Sequence, residues 1–113
     1  MIDRKILVKM MQTVSFSLLI YSIIENSTLA FELENGEAGF KENCAECHSG
    51  GGNIVNPSKT LSKKDRNTNG IKTADDIVKI MRKPGEGMTK FDEKAISDND
   101  ARKIAEYIID TFK

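Results

Sequence analysis

The chain has 113 residues, with 17 Lys+Arg against 17 Asp+Glu, 39% apolar side chains and no Trp. That balance argues against nucleic acid or an anionic membrane surface as the main partner, since both demand a strong basic excess. The length allows one small domain with a modest core, of the size that usually needs a staple, a metal or a cofactor.

The first thirty residues read as a cleavable signal peptide. Arg4, Lys5 and Lys9 form a positive start, and an apolar stretch over residues 10–24 follows, interrupted by Gln12, Thr13, Ser15, Ser17 and Ser22. Asn26-Ser27-Thr28-Leu29-Ala30 ends this region in a small-x-small pattern. A spanning helix needs about 20 predominantly apolar residues, and this run is shorter and broken. Cleavage after Ala30 is therefore expected, leaving residues 31–113 as the folded domain with no membrane anchor.

That domain reads as helices joined by glycine-rich loops. A first helix is expected over residues 33–43, with Leu33, Phe40 and the small Gly36 and Gly39 placed to pack closely. Gly50-Gly51-Gly52 predicts a loop over residues 49–56. Residues 57–64 suggest a short helical turn, and the polar run 65–70, with Asn67, Asn69 and Gly70, suggests a loop. An amphipathic helix is predicted over residues 73–82: Thr73 and Asp76 form a capping pattern, and Ile77, Ile80 and Met81 share one face. Pro84, Gly85 and Gly87 end it. A last helix over residues 97–112 opens on Ser97 and Asp100 and carries the stripe Ile104, Tyr107, Ile108 and Phe112. No segment of the domain alternates with period two, so the fold class is all-α, with three to four helices.

Cys44-Ala45-Glu46-Cys47-His48 carries the chemistry. C-x-x-C-H is the attachment motif of haem c. Both thiols add to the vinyl groups of one haem, and one helical turn between them puts both sulfurs on one edge of the ring. The adjacent histidine then supplies an iron ligand. A thioredoxin-type C-x-x-C belongs beside a strand, and none is predicted. A structural zinc site wants four Cys or His ligands, and the chain holds two Cys and one His. A plain disulfide leaves His48 without a role.

With a single histidine, a bis-histidine haem is excluded, and methionine is the usual partner of histidine in cytochromes c. Met81 falls on the apolar face of a helix and reads as core. Met88 lies in the irregular stretch Lys83-Pro84-Gly85-Glu86-Gly87-Met88-Thr89, whose glycines let backbone approach a large flat ring, and is the expected sixth ligand. Pro57 either offers its carbonyl to the His48 ring N–H or punctuates the loop. Phe40 and Tyr107 are expected to pack where the first and last helices cross, and Phe91 either covers the haem face near Met88 or joins the core. Lys59, Lys63, Lys64, Arg66 and Lys72 cluster in sequence, as solvated surface or as a patch that steers an acidic partner.

Taken together, these residues resemble class I cytochromes c, and most closely the cytochrome c6 (cytochrome c-553) family. The resemblance runs across nearly all of residues 31–113. It is carried by Glu34-Asn35-Gly36-Glu37 with Phe40, Asn43-Cys44-Ala45-x-Cys47-His48, Gly51-Gly52-Asn53, Lys59-Thr60-Leu61-x-Lys63-Lys64, Met88 with Phe91, and Ala105 with Tyr107. Two features depart from the family: Thr89 stands where proline usually follows the ligand methionine, and Asp92-Glu93-Lys94 stands where a Gly-Gly-Arg segment is common. The resemblance implies a small class I cytochrome c fold around one covalently bound haem c, held through Cys44 and Cys47 and ligated by His48 and Met88. It implies a soluble, monomeric electron carrier rather than an enzyme. Electrons would pass from cytochrome f of the cytochrome b6f complex to photosystem I in the thylakoid lumen of a plastid or cyanobacterium. The competing expectations are a periplasmic respiratory cytochrome feeding a terminal oxidase, and a haem sensor or peroxidase with an open distal site.

Overall fold

Capping decides where the two longest helices after the haem motif begin. The computed structural model describes the backbone of residues 3–113 and the side chains of residues 3–11 and 32–113. Among the described residues the elements are α1 (Arg4–Asn43), α2 (Ala45–His48), a 3-10 turn (Ser49–Gly51), α3 (Lys63–Thr68), α4 (Ala74–Arg82) and α5 (Asp98–Thr111), with no strand. Thr73 opens α4 as a capping box: its hydroxyl accepts from the Asp76 N–H at 3.2 Å, and the Thr73 N–H donates to the Asp76 carboxylate at 2.9 Å. The Lys72 N–H donates to the same carboxylate, and these bonds hold the Asp76 acid below its ordinary range. Ser97 opens α5 by accepting from the Asp100 N–H at 3.1 Å.

The chain divides into two compact units, Met1–Phe31 and Glu32–Lys113. Most of the expected signal sequence, with the expected cleavage site at Ala30, falls on residues 12–31, outside the described side chains. Among the described residues, no helix is long and apolar enough to cross a membrane.

In the unit Glu32–Lys113 the core is built from Phe40, Ile77, Met81, Ile96, Ala101, Ile104, Ala105 and Ile108. Met81 is 3% exposed and belongs to this core, as its periodicity predicts. Ile80, on the predicted face of the same helix, is half-buried. Helix α4 packs on α5, and Arg102 pairs with Asp75 between them. Phe40 meets Tyr107 at a centroid distance of 5.4 Å and Phe112 at 5.5 Å, so the expected crossing of the first and last helices forms.

That crossing is close because α1 is bare at two positions. A Cβ on Gly39 would lie 2.8 Å from Ile104 Cγ1, and one on Gly36 would lie 2.9 Å from Tyr107 Cβ and collide with the Lys103 carbonyl. A Gly36→Ala variant gains about 0.5–1 kcal/mol of helix propensity and incurs about 1–3 kcal/mol of overpacking. The second term wins: the denaturant midpoint of Gly36→Ala will fall. A rise would mean that α1 and α5 separate at no cost.

Two expectations for the middle of the chain are corrected. Residues 57–64 do not form a helical turn; Pro57 and Ser58 make a simple turn, and the helix starts only at Lys63. Most of the expected loop 65–70 is instead helix α3. Its signal is polar and local: the Ser62 hydroxyl accepts from the Asp65 N–H at 3.3 Å, and Thr60 donates to the Asp65 carboxylate. Arg66 then turns inward, 5% exposed, where Nε donates to the Leu61 carbonyl at 2.8 Å and Nη2 to that of Phe112 at 3.2 Å. Arg66 therefore leaves the surface cluster of cations, which retains Lys59, Lys63, Lys64 and Lys72 as exposed groups.

Candidate haem site

Helix α1 runs directly into the attachment motif. The Cys44 N–H donates to the Phe40 carbonyl at 2.8 Å, and the Cys44 carbonyl accepts from the N–H of Cys47 at 3.2 Å and of His48 at 2.9 Å. Cys44 is therefore the joint between α1 and α2, and Cys44, Cys47 and His48 occupy one turn. Both thiols are free and half-buried, not joined as a disulfide. Burial pushes the Cys44 thiol up to about 11.

His48 is oriented by one bond. Its Nδ1 lies 2.7 Å from the Gly52 carbonyl oxygen. A carbonyl can only accept, so Nδ1 carries the proton and Nε2 presents its lone pair, the tautomer a metal-ligating histidine needs. The sequence offered Pro57 for this role; the partner is Gly52. The difference is geometric. The 3-10 turn closes through the Gly52 N–H donating to the Ser49 carbonyl at 3.1 Å, which holds Gly52 beside His48, while Pro57 lies further along the chain, inside the loop that Asn53 closes on the Lys59 carbonyl. The expected loop at residues 49–56 thus starts as this tight turn.

Met88 is half-buried and packs against the core together with Leu61, Ile71, Val78 and Phe91. Phe91 is thereby at the edge of the core. Gly87 has φ 86°, and a Cβ there would lie 2.7 Å from Val55 Cγ1, so both backbone and space require glycine. This contact joins the Met88 loop to the segment that follows His48.

The residues present fit a covalent haem. Two free thiols stand one turn apart, a histidine has its Nε2 available, and a methionine lies in a glycine-flanked loop. Ile54 and Val55, 70% and 57% exposed, are large apolar side chains beside the motif suited to lie against a flat apolar ring.

Comparison with known proteins agrees. A family model described as "Cytochrome C oxidase, cbb3-type, subunit III" matches residues 31–108. Cytochrome c6 of Synechocystis sp. is 41% identical over 85 residues, covering 75% of this chain and 70% of the relative. The chain belongs to the cytochrome c6 family of class I c-type cytochromes. Cytochrome c6 of Pyropia yezoensis is 33% identical over 99 residues, covering 86% of this chain and 89% of the relative. Among solved structures, OmcF, outer membrane cytochrome F from Geobacter sulfurreducens, is 45% identical with a TM-score of 0.67 and covers 69% of this chain and 99% of that chain. As a cytochrome c6 family member, the protein is an electron carrier with one covalently bound haem c, and not an enzyme.

Proposed function

We propose that Cys44 and Cys47 carry the haem through thioether bonds, with His48 Nε2 and the Met88 sulfur as axial ligands. When bound, the haem supplies one-electron Fe(II)/Fe(III) chemistry. The observation that carries this reading is the 2.7 Å bond from His48 Nδ1–H to the Gly52 carbonyl, which fixes both tautomer and ring plane. Met88 contributes a soft thioether, which favours the reduced state relative to a second imidazole. Two protein ligands from His48 and Met88 would keep small ligands away from the iron and would let it change oxidation state with little rearrangement.

In this reading the protein is exported by residues 1–30, is processed after Ala30, and works as a soluble monomer. The cytochrome c6 relatives support a route from cytochrome f of the cytochrome b6f complex to photosystem I, in a thylakoid lumen. A second reading, a periplasmic respiratory cytochrome feeding a terminal oxidase, is favoured by the 45% identity to a bacterial outer membrane cytochrome and by Asp92-Glu93-Lys94.

Rapid mixing separates the two. Reduced protein is offered to photosystem I particles or to membranes bearing a terminal oxidase. Fast oxidation by the first alone supports the photosynthetic route, and by the second alone the respiratory one. If exposed Lys59, Lys63, Lys64 and Lys72 steer the encounter, the rate will fall at least about tenfold from low to high salt. Charge reversal at Lys63 and Lys64 will flatten that dependence. Rates indifferent to both would remove this patch from docking.

A further inference from the structure

Residues 83–90 carry Met88, and the two ends of this segment are tied at one place. The Phe91 N–H donates to the Met81 carbonyl at 2.9 Å. Beside it the Arg82 guanidinium spans three acceptors: Nη1 donates to the Phe91 carbonyl at 2.9 Å, and Nη2 donates to the Ile96 carbonyl at 3.0 Å and to Asp98 Oδ1 at 2.7 Å. Arg82 is mostly buried, its side chain 21% exposed, while Asp98 is 72% exposed. Inside the segment the tie is weaker, with the Met88 N–H reaching the Gly85 carbonyl at 3.5 Å.

We infer that Arg82 is a positioning residue for Met88: its guanidinium clamps the ends of the Met88 loop and sets how readily the sulfur leaves the iron. The inference rests on the reading of Met88 as axial ligand. A planar fork satisfies several carbonyls at once, which a lysine ammonium on a flexible stem does not reproduce. Without the fork, the Phe91 and Ile96 carbonyls lose charge-assisted partners, and the loop opens at lower cost. An outside ligand reaches the iron only when Met88 has left, so its apparent affinity scales with the population of the open loop.

Imidazole titration of the ferric holoprotein reads that population. Arg82→Gln will raise the apparent imidazole affinity about tenfold, and Arg82→Lys and Asp98→Asn by smaller factors of about two to five. Arg66→Gln is the control for general destabilisation, because Arg66 is equally tied to backbone carbonyls but in α3, holding Leu61 and Phe112. It will lower the denaturant midpoint yet leave imidazole affinity within about twofold of wild type. Equal rises in Arg82→Gln and Arg66→Gln, or no rise in Arg82→Gln, would overturn the clamp. If Arg82→Gln yields no holoprotein, Asp98→Asn decides: a selective rise supports the clamp, and none overturns it. A wild-type ferric protein without the sulfur-to-iron charge-transfer band overturns the ligand reading and the clamp together. A wild type with that band and an unmoved Arg82→Gln overturns the clamp alone.

Discussion

Replacing Met88 by alanine will erase the weak near-infrared sulfur-to-iron charge-transfer band of the ferric protein, lower its reduction potential, and let the ferrous protein bind carbon monoxide. All three follow from one lost bond. The band requires sulfur on the iron; the potential depends on the axial ligand, which spans about 0.8 V across haem proteins; and a vacated position is open to a small ligand. The control is Met81→Leu. Met81 is 3% exposed in the core between α4 and α5, and leucine has nearly its volume. That exchange will cost under about 1.5 kcal/mol and keep the band. The reverse pattern would make Met81 the ligand. Ready carbon monoxide binding by the wild type would mean an open site, and would move the protein from electron carriage to sensing or catalysis.

What could be read beforehand follows the nature of each signal. Helices α4 and α5 were legible because hydrophobic periodicity and capping residues agree there, and Thr73 and Ser97 do cap them. The motif residues were legible because their spacing is dictated by covalent chemistry. Helix α3 was hidden because Lys-Lys-Asp-Arg-Asn-Thr has no apolar face; the side chain it buries is an arginine, and one of the two carbonyls that hold it belongs to Phe112, 46 positions away. The Gly52 carbonyl was hidden for a similar reason. A backbone acceptor has no sequence signature, and only the closing of the 3-10 turn aims it at His48. Ala101 and Ala105, fully buried at 0% exposure, fall outside the predicted stripe of α5 because small residues weigh little in an apolar pattern, although Ala105 with Tyr107 does carry part of the family resemblance. Arg82 escaped notice because a cation at a helix end is ordinarily explained by the helix dipole, whereas this one reaches the far side of a loop.

The double variant Cys44→Ala/Cys47→Ala will lose its colour entirely to acid–acetone, while the wild type keeps it. Thioether bonds do not depend on the iron ligands, so acid that strips the proposed ligands, His48 and Met88, from the iron would leave the haem on the chain. Either single variant retains one possible thioether, and its holoprotein yield will drop sharply without reaching zero. The placement of the two cysteines explains why both matter. Cys44 is fixed by its bond to the Phe40 carbonyl and Cys47 by its bond to Cys44, so each sulfur is held at its own position on one turn and neither can take the other's place. Loss of stability alone would also reduce yield, so a core variant is the comparison. Ile104 is 1% exposed, and Ile104→Ala will cost about 2–5 kcal/mol, yet whatever holoprotein it forms will hold its haem through extraction. The two causes separate on that point: a folding defect lowers the amount of red protein, and a missing sulfur changes whether the red colour leaves with the solvent. Wild-type protein that surrenders its haem to the solvent would show that Cys44 and Cys47 form no thioethers.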